Sequence, residues 1–474
     1  MRSLLTGLLA AVLLATAPGA GAQPGLTIGF SADPALTAGT SASRAVWIDR
    51  ALADGAGIVR VNVEWSRVAP VRRPRGFNAS DPASPGYDWS AIDGPVKDLS
   101  AHGLGALLNI TNAPAWAQGP HRPRGALPGT WRPDPQQFAS FARAAALRYD
   151  GRFPDPQAPV SFLPRVHYWQ AWNEPNLDTY LSPQWIRAGR GYVAESPIIY
   201  RRLLNAFYAA VKGVHSSNFV VTAGTAPYGD PPGGHRIPPV AFDRALFCLS
   251  GALALRPVHC PDPAHLDAVS HHPYGIQGPL WHAYNADDAA VPDIYKIARV
   301  LHAAQRAGTV LPRGHKRLWV TEISWDSSPP DPNGVPIAQQ ARWYEQALYV
   351  LWRQGVDTVL WLQIEDSPPI PNYAASYQAG LYYLNGRPKP AVQAIRFPFV
   401  TQRSSAGVVQ AWGRAPQAGT LAIQRRGPGG SWQVLKRIAL AGDQVFTTAL
   451  TLRGGAVLRA QLAAQTSLTW TQGP

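Results

Sequence analysis

The chain has 474 residues, room for one large domain and a smaller one. Apolar residues make up 46% and charged residues only 15%, and 46 prolines are spread along the chain, which excludes a disordered protein, a coiled coil and a helical bundle. The formal net charge is +14, but it comes mostly from scattered arginines, with no basic run or recognition motif. Nucleic acid is therefore not an expected partner, and the charge is left as a hint of an anionic glycan or surface.

The N-terminus carries Arg2, an apolar run over 4–17 and then Ala20-Gly21-Ala22, the pattern of a secretory signal peptide spanning 1–22. That run is shorter than the ~20 residues a membrane span needs, and no other segment is long and apolar, so no transmembrane helix is expected after signal removal. A secreted or extracytoplasmic setting favours a disulfide, and Cys248 and Cys260 are the expected pair.

From residue 26 to about 396, short β-rich runs alternate with helical segments. Strands are predicted near 26–31, 58–64, 104–110, 166–172, 218–224, 265–270, 316–322 and 357–364. Helices are predicted near 43–54, 90–102, 135–148, 198–214, 240–250, 291–307, 337–354 and 388–396. Runs such as Ile58-Val59-Arg60-Val61 are nearly continuously apolar, as parallel strands buried on both faces are. Eight strand–helix pairs predict an α/β fold, a (β/α)₈ TIM barrel over 23–398. The alternative, an open doubly wound sheet, lacks its Gly-rich fingerprint after the first strand. The connections 65–88, 111–134, 175–197, 225–239 and 323–336 are long and rich in Pro, Gly and aromatics, which places the functional face at the strands' C-terminal ends. Beyond Pro398, alternating segments between Gly/Pro turns predict a small antiparallel, β-sandwich-like domain over 399–474.

The chain has only six glutamates. Glu64, Glu174, Glu322 and Glu365 fall at or next to predicted strand ends, Glu345 within a helix and Glu195 in a loop. In a barrel the strand ends converge, so Glu174 and Glu322 can meet across 148 positions of sequence. Two opposed carboxyls suit glycoside hydrolysis, one protonating the leaving oxygen and the other facing the anomeric carbon. Strand alternation would send Asn173 and Glu174 to opposite faces, so the chain has to bend or end its strand there, next to Pro175.

Trp172-Asn173-Glu174-Pro175 at the fourth strand and Trp319-Val320-Thr321-Glu322 at the seventh resemble glycoside hydrolase clan A, the retaining barrel glycosidases. Arg60 on the second strand, His272-Pro273-Tyr274 after the sixth and Trp361 on the eighth fit the same pattern. Within the clan the chain resembles families 39 and 5, which include β-xylosidase-like and cellulase-like enzymes. The resemblance implies a retaining O-glycosidase in which Glu174 is the acid/base and Glu322 the nucleophile. It further implies that Asn173 bonds the sugar's 2-hydroxyl and that Arg60 and Tyr274 keep Glu322 ionised. His272 joins the substrate-binding set, with Trp116, Trp325 and Trp361 as surfaces for a sugar ring and Trp131 and Trp185 as further loop aromatics. No cofactor or metal is expected, since the histidines have no ligand spacing. An inactive carbohydrate-binding barrel and a transglycosylase are the competing readings. Glu64 and Glu365 are expected at the rim.

Overall fold

The computed structural model describes residues 25–474 apart from Ala32 and Asp443, so the signal segment 1–22 lies outside the described residues. Eight parallel strands close a barrel in chain order: β1 (Thr27–Ser31), β2 (Ala56–Glu64), β3 (Gly105–Thr111), β4 (Tyr168–Ala171), β5 (Phe219–Thr222), β6 (Ala268–His271), β7 (Arg317–Val320) and β8 (Thr358–Trp361). The helices that follow the strands in turn are α1 (Ser41–Ala53), α2 (Ser90–Ala101), α3 (Pro135–Arg148), α4 (Ser196–Val214), α5 (Pro239–Leu246), α6 (Ile294–Ala307), α7 (Ile337–Arg353) and α8 (Pro390–Arg396). Local chemistry sets their ends. Asp134 caps α3 by accepting from Gln137 N at 2.8 Å, with Pro135 in the first turn, and Gly308 ends α6 in the left-handed region. In α6, Ile294, Ile297, Val300, Leu301 and Ala304 form one buried stripe at helical spacing.

Alternation along the strands separates two cores. Ile58, Leu107, Val221, Ala268, Trp319 and Leu360 fill the barrel interior. Two residues further along the same faces, Arg60, Asn109, Ser270 and Thr321 bring polar groups to the C-terminal mouth, all buried. The intervening residues, among them Val59, Leu108, Trp169, Val220, Val269, Val320 and Trp361, pack outward into the main core.

After the barrel come two antiparallel sheets. One holds Phe399–Ser405, Val408–Arg414 and Val445–Thr451; the other is built on Gly419–Arg426, Trp432–Leu440 and Ala456–Leu462. Helix α7 joins them to the barrel. The Tyr349 hydroxyl and Arg353 both donate to Gln402 Oε1, Trp412 packs on the rings of Tyr349 and Trp352, and Arg342 lies over Trp470. Cys248 and Cys260 are bonded, Sγ–Sγ 2.04 Å. Among the described residues no helix is long and apolar enough to cross a membrane.

The loops after β7 and β8 are tied by a buried cation. Lys389 Nζ donates to Asp366 Oδ1 at 2.6 Å, Ser327 Oγ at 2.9 Å and the Gln378 carbonyl at 3.0 Å. Removing one partner of a buried pair strands the other charge, so Lys389→Met is expected to cost about 3–5 kcal/mol in a denaturant-unfolding measurement.

Candidate active site

The mouth of the barrel gathers residues from five strands around one guanidinium. Arg60 donates through Nη1 to Glu322 Oε1 at 2.5 Å and to Ser31 Oγ at 3.1 Å, and through Nη2 to Asn173 Oδ1 at 2.6 Å. Glu64 pairs instead with Arg67, and Asp366 with Lys389. With its amide oxygen turned to the guanidinium, Asn109 accepts from Arg60 Nη2 at 2.6 Å and donates to the Trp172 carbonyl at 2.8 Å.

Asn173 and Glu174 both reach the mouth because β4 stops at Ala171. Trp172 (φ 75°) and Glu174 (φ 34°) then take left-handed backbone conformations and break the two-residue alternation. Such conformations cost about 1–3 kcal/mol each at non-glycine residues and persist only when the surroundings enforce them. Here Trp172 N donates to the Ile110 carbonyl, Glu174 N to the Gly224 carbonyl, and the buried Asn176 side chain bonds Ala226 and Ile237.

His272 stands between the two carboxyls. Its Nδ1 lies 2.8 Å from Glu174 Oε1 and 3.7 Å from Glu322 Oε2, and its Nε2 lies 3.0 Å from Thr321 Oγ1. Gly224 makes the room: a Cβ there would sit 2.1 Å from His272 Nε2. The Tyr274 hydroxyl donates to Glu322 Oε2 at 2.9 Å. The neighbouring His271 bonds Thr225 and the Ala289 carbonyl instead, and burial pushes its pKa down to about 3, so it is neutral.

Burial alone would raise the pKa of Glu322. His272, the Arg60 charge and its hydrogen bond, and the Tyr274 hydroxyl outweigh that and hold the carboxyl below its usual range. The Tyr274 phenol is driven well up by burial and by the two glutamates, so it stays a donor. Glu322 is thus an ionised, oriented carboxylate. Ligand atoms of Glu174, His272 and Glu322 lie within 4.8 Å of one another, a spacing that would also suit a cation. Both Glu322 oxygens already hold donors, however, and Arg60 would repel a metal ion.

The structure brings Glu174, Glu322, Asn173, Arg60, His272 and Tyr274 together, but gives some of them other tasks than the sequence suggested. Arg60, 1% exposed, bonds Glu322 as expected, whereas His272, 0% exposed, is held between Glu174 and Thr321 with no open face for a sugar. The tryptophans differ more. Trp361 is 0% exposed because Leu360 takes the interior position and alternation turns Trp361 outward, stacked on Tyr344 of α7 at 4.1 Å. Trp116 is held by the Pro70 carbonyl, the Trp65 ring edge and the Arg73 guanidinium. Trp325 is buried and donates to the Gly275 and Gln277 carbonyls. Trp131 bonds the Pro120 carbonyl beside Arg132, and Trp185 sits in a hairpin with Ala194.

The cleft itself, about 470 Å³, runs from Glu322 and Asn173 past Asn62, Asn112 and Thr130 to Tyr180. Tyr180 and Tyr377 are 38% and 56% exposed, and both feel the charges of Glu174 and Glu322. They are open rings close enough to feel both carboxyls that sequence reasoning missed; only their position in loops after β4 and β8 could have marked them. Glu64 pairs with Arg67 on the cleft rim, and Glu365 lies by Asp33, where burial and that neighbour raise its pKa to about 7.

No protein-family model and no curated protein matches the sequence. Solved structures do match. One is a family 39 glycoside hydrolase from the gut symbiont Bacteroides cellulosilyticus WH2, with TM-score 0.55 and 16% identity over 91% of this chain and 81% of that one. Another is a family 51 α-L-arabinofuranosidase from Bifidobacterium longum, with TM-score 0.50 and 14% identity over 92% and 98%. The structural neighbours are thus clan A glycoside hydrolases, and at this identity the likeness is one of fold.

Proposed function

We propose that the protein is a secreted, retaining O-glycoside hydrolase acting on an oligo- or polysaccharide. The observation that carries this is the closeness of Glu174 and Glu322, one carboxylate oxygen of each lying within 4.8 Å of one on the other. Retaining enzymes hold their carboxyls about 5–5.5 Å apart, whereas inverting enzymes need about 6.5–9.5 Å to seat a water between them. In the first step Glu322 attacks the anomeric carbon while Glu174 gives its proton to the departing oxygen, so the glycosidic bond breaks as an ester to Glu322 forms. In the second step Glu174, now a carboxylate, takes a proton from water as that water attacks the same carbon and releases Glu322. Arg60 links Glu322 to Asn173, so the nucleophile and the expected 2-hydroxyl partner are held in one frame. The 1–22 segment supports export.

The first product released from an aryl glycoside, followed by NMR before mutarotation, is expected to carry the substrate's anomeric configuration. The opposite anomer would rule out double displacement.

A further inference from the structure

We infer that the loop between β6 and α6 carries a second sugar-binding subsite, with Trp281 and Tyr284 as platforms for a distal unit of a polysaccharide chain. This rests on the glycosidase reading and narrows its substrate to polymers longer than the cleavage subsite alone accommodates. Trp281 is 62% and Tyr284 100% exposed. Isolated apolar groups on a surface are ordinary, but two large rings on one groove are a binding feature. The groove, about 440 Å³, is lined by Tyr228, Arg236, Gln277, Trp281, Tyr284 and Asn285. Flat rings beside planar amide and guanidinium groups match a sugar, which offers an apolar C–H face and a rim of hydroxyls.

The loop is held rigid although its rings are in water. The Trp325 indole N–H reaches two of its carbonyls, Gly275 at 2.9 Å and Gln277 at 3.0 Å. The buried Asp293 accepts from Ala283 N at 2.7 Å and contacts His282 at 2.8 Å, and the buried Asp288 accepts from Asn285 at 2.8 Å and Gly229 N at 2.9 Å. A loop backbone fixed in advance loses less freedom when a ligand binds. The groove is also tied through the protein to the cleavage site. Its Tyr228 hydroxyl donates to the carbonyl of Tyr274 at 3.0 Å, and the Tyr274 hydroxyl holds Glu322.

The test compares wild type with Trp281→Ala/Tyr284→Ala by affinity electrophoresis in arabinoxylan, mixed-linkage β-glucan, galactomannan and arabinan gels, with kcat/KM on the polymer cleaved and on an aryl glycoside. Expected is retardation of wild type by at least one polymer and its loss in the variant. The variant's kcat/KM on polymer should fall roughly tenfold relative to that on the aryl glycoside, the effect of losing a packed aromatic anchor. Equal retardation, a parallel fall on both substrates, or no retardation of wild type by any polymer (as for a face that docks a protein) would overturn it. Wild type retarded by polymer yet hydrolysing nothing would sink the catalytic reading and leave the subsite standing.

Discussion

Replacing Glu322 by alanine is expected to lower kcat by roughly four to six orders of magnitude, the scale on which loss of a covalent nucleophile acts. The ester intermediate has no atom to form on, and Arg60 and Tyr274 are left facing a void with their donors unmatched. That void is itself the second half of the prediction. Sodium azide can enter it and attack the anomeric carbon from the face Glu322 used, while Glu174 still protonates the departing oxygen. One displacement then replaces two, so the glycosyl azide carries the anomeric configuration opposite to the substrate's. Glu174→Ala should behave differently. With an activated aryl leaving group the first step needs no acid, the ester forms, and azide intercepts it in a second displacement to give the retained anomer. Product NMR on the two variants assigns the roles separately. Full activity of Glu322→Ala, or the same azide anomer from both variants, would remove the double-displacement assignment.

The barrel was legible because its elements are short, repeated and punctuated. Every predicted strand overlaps one of the eight that close the barrel, and Pro135 and Gly308 mark ends that a sequence displays directly. The C-terminal boundaries moved inward at β4, β5, β7 and β8, where the chain leaves the ladder before its β-rich run ends. Val320 ends β7, so Thr321 and Glu322 are already loop. The two glutamates were legible because the residue is so rare here and strand ends are few. The aromatic assignments went astray through parity. Whether a tryptophan on β8 faces the mouth or α7 depends on which neighbour takes the interior position, and a strand apolar on both faces leaves no alternation to read it from. Loop tryptophans were harder still, because an indole that closes a turn, like Trp325, and one offered to a ligand have the same sequence surroundings. In the C-terminal region Phe399–Ser405 pairs locally with Val408–Arg414, but Val445–Thr451 reaches that same strand only after two strands of the other sheet, a pairing no local pattern displays.

Arg60→Met is expected to lower kcat/KM by roughly two to four orders of magnitude while keeping most of the side chain's bulk. The figure is the kinetic counterpart of stripping one partner from a buried ion pair, about 3–5 kcal/mol. Arg60 is a positioning residue, so the decisive readout is the pH profile. Turnover needs Glu322 ionised, and the acid limb of kcat/KM follows its pKa. Burial raises that pKa, and His272, Arg60 and Tyr274 bring it below the ordinary 4.5. Without the Arg60 charge the balance shifts towards burial, so the acid limb moves to higher pH. The same change alters folding stability. In wild type the depressed pKa of Glu322 contributes stability above 4.5 that is lost as the pH falls through the folded value. In the variant the folded pKa moves up, so this contribution shrinks. Arg60→Lys separates charge from geometry. A lysine restores part of the acid limb but cannot bond Glu322 and Asn173 through one rigid fork, so kcat stays low while the pH profile recovers. An unchanged acid limb in Arg60→Met would mean that His272 and Tyr274 alone keep Glu322 ionised.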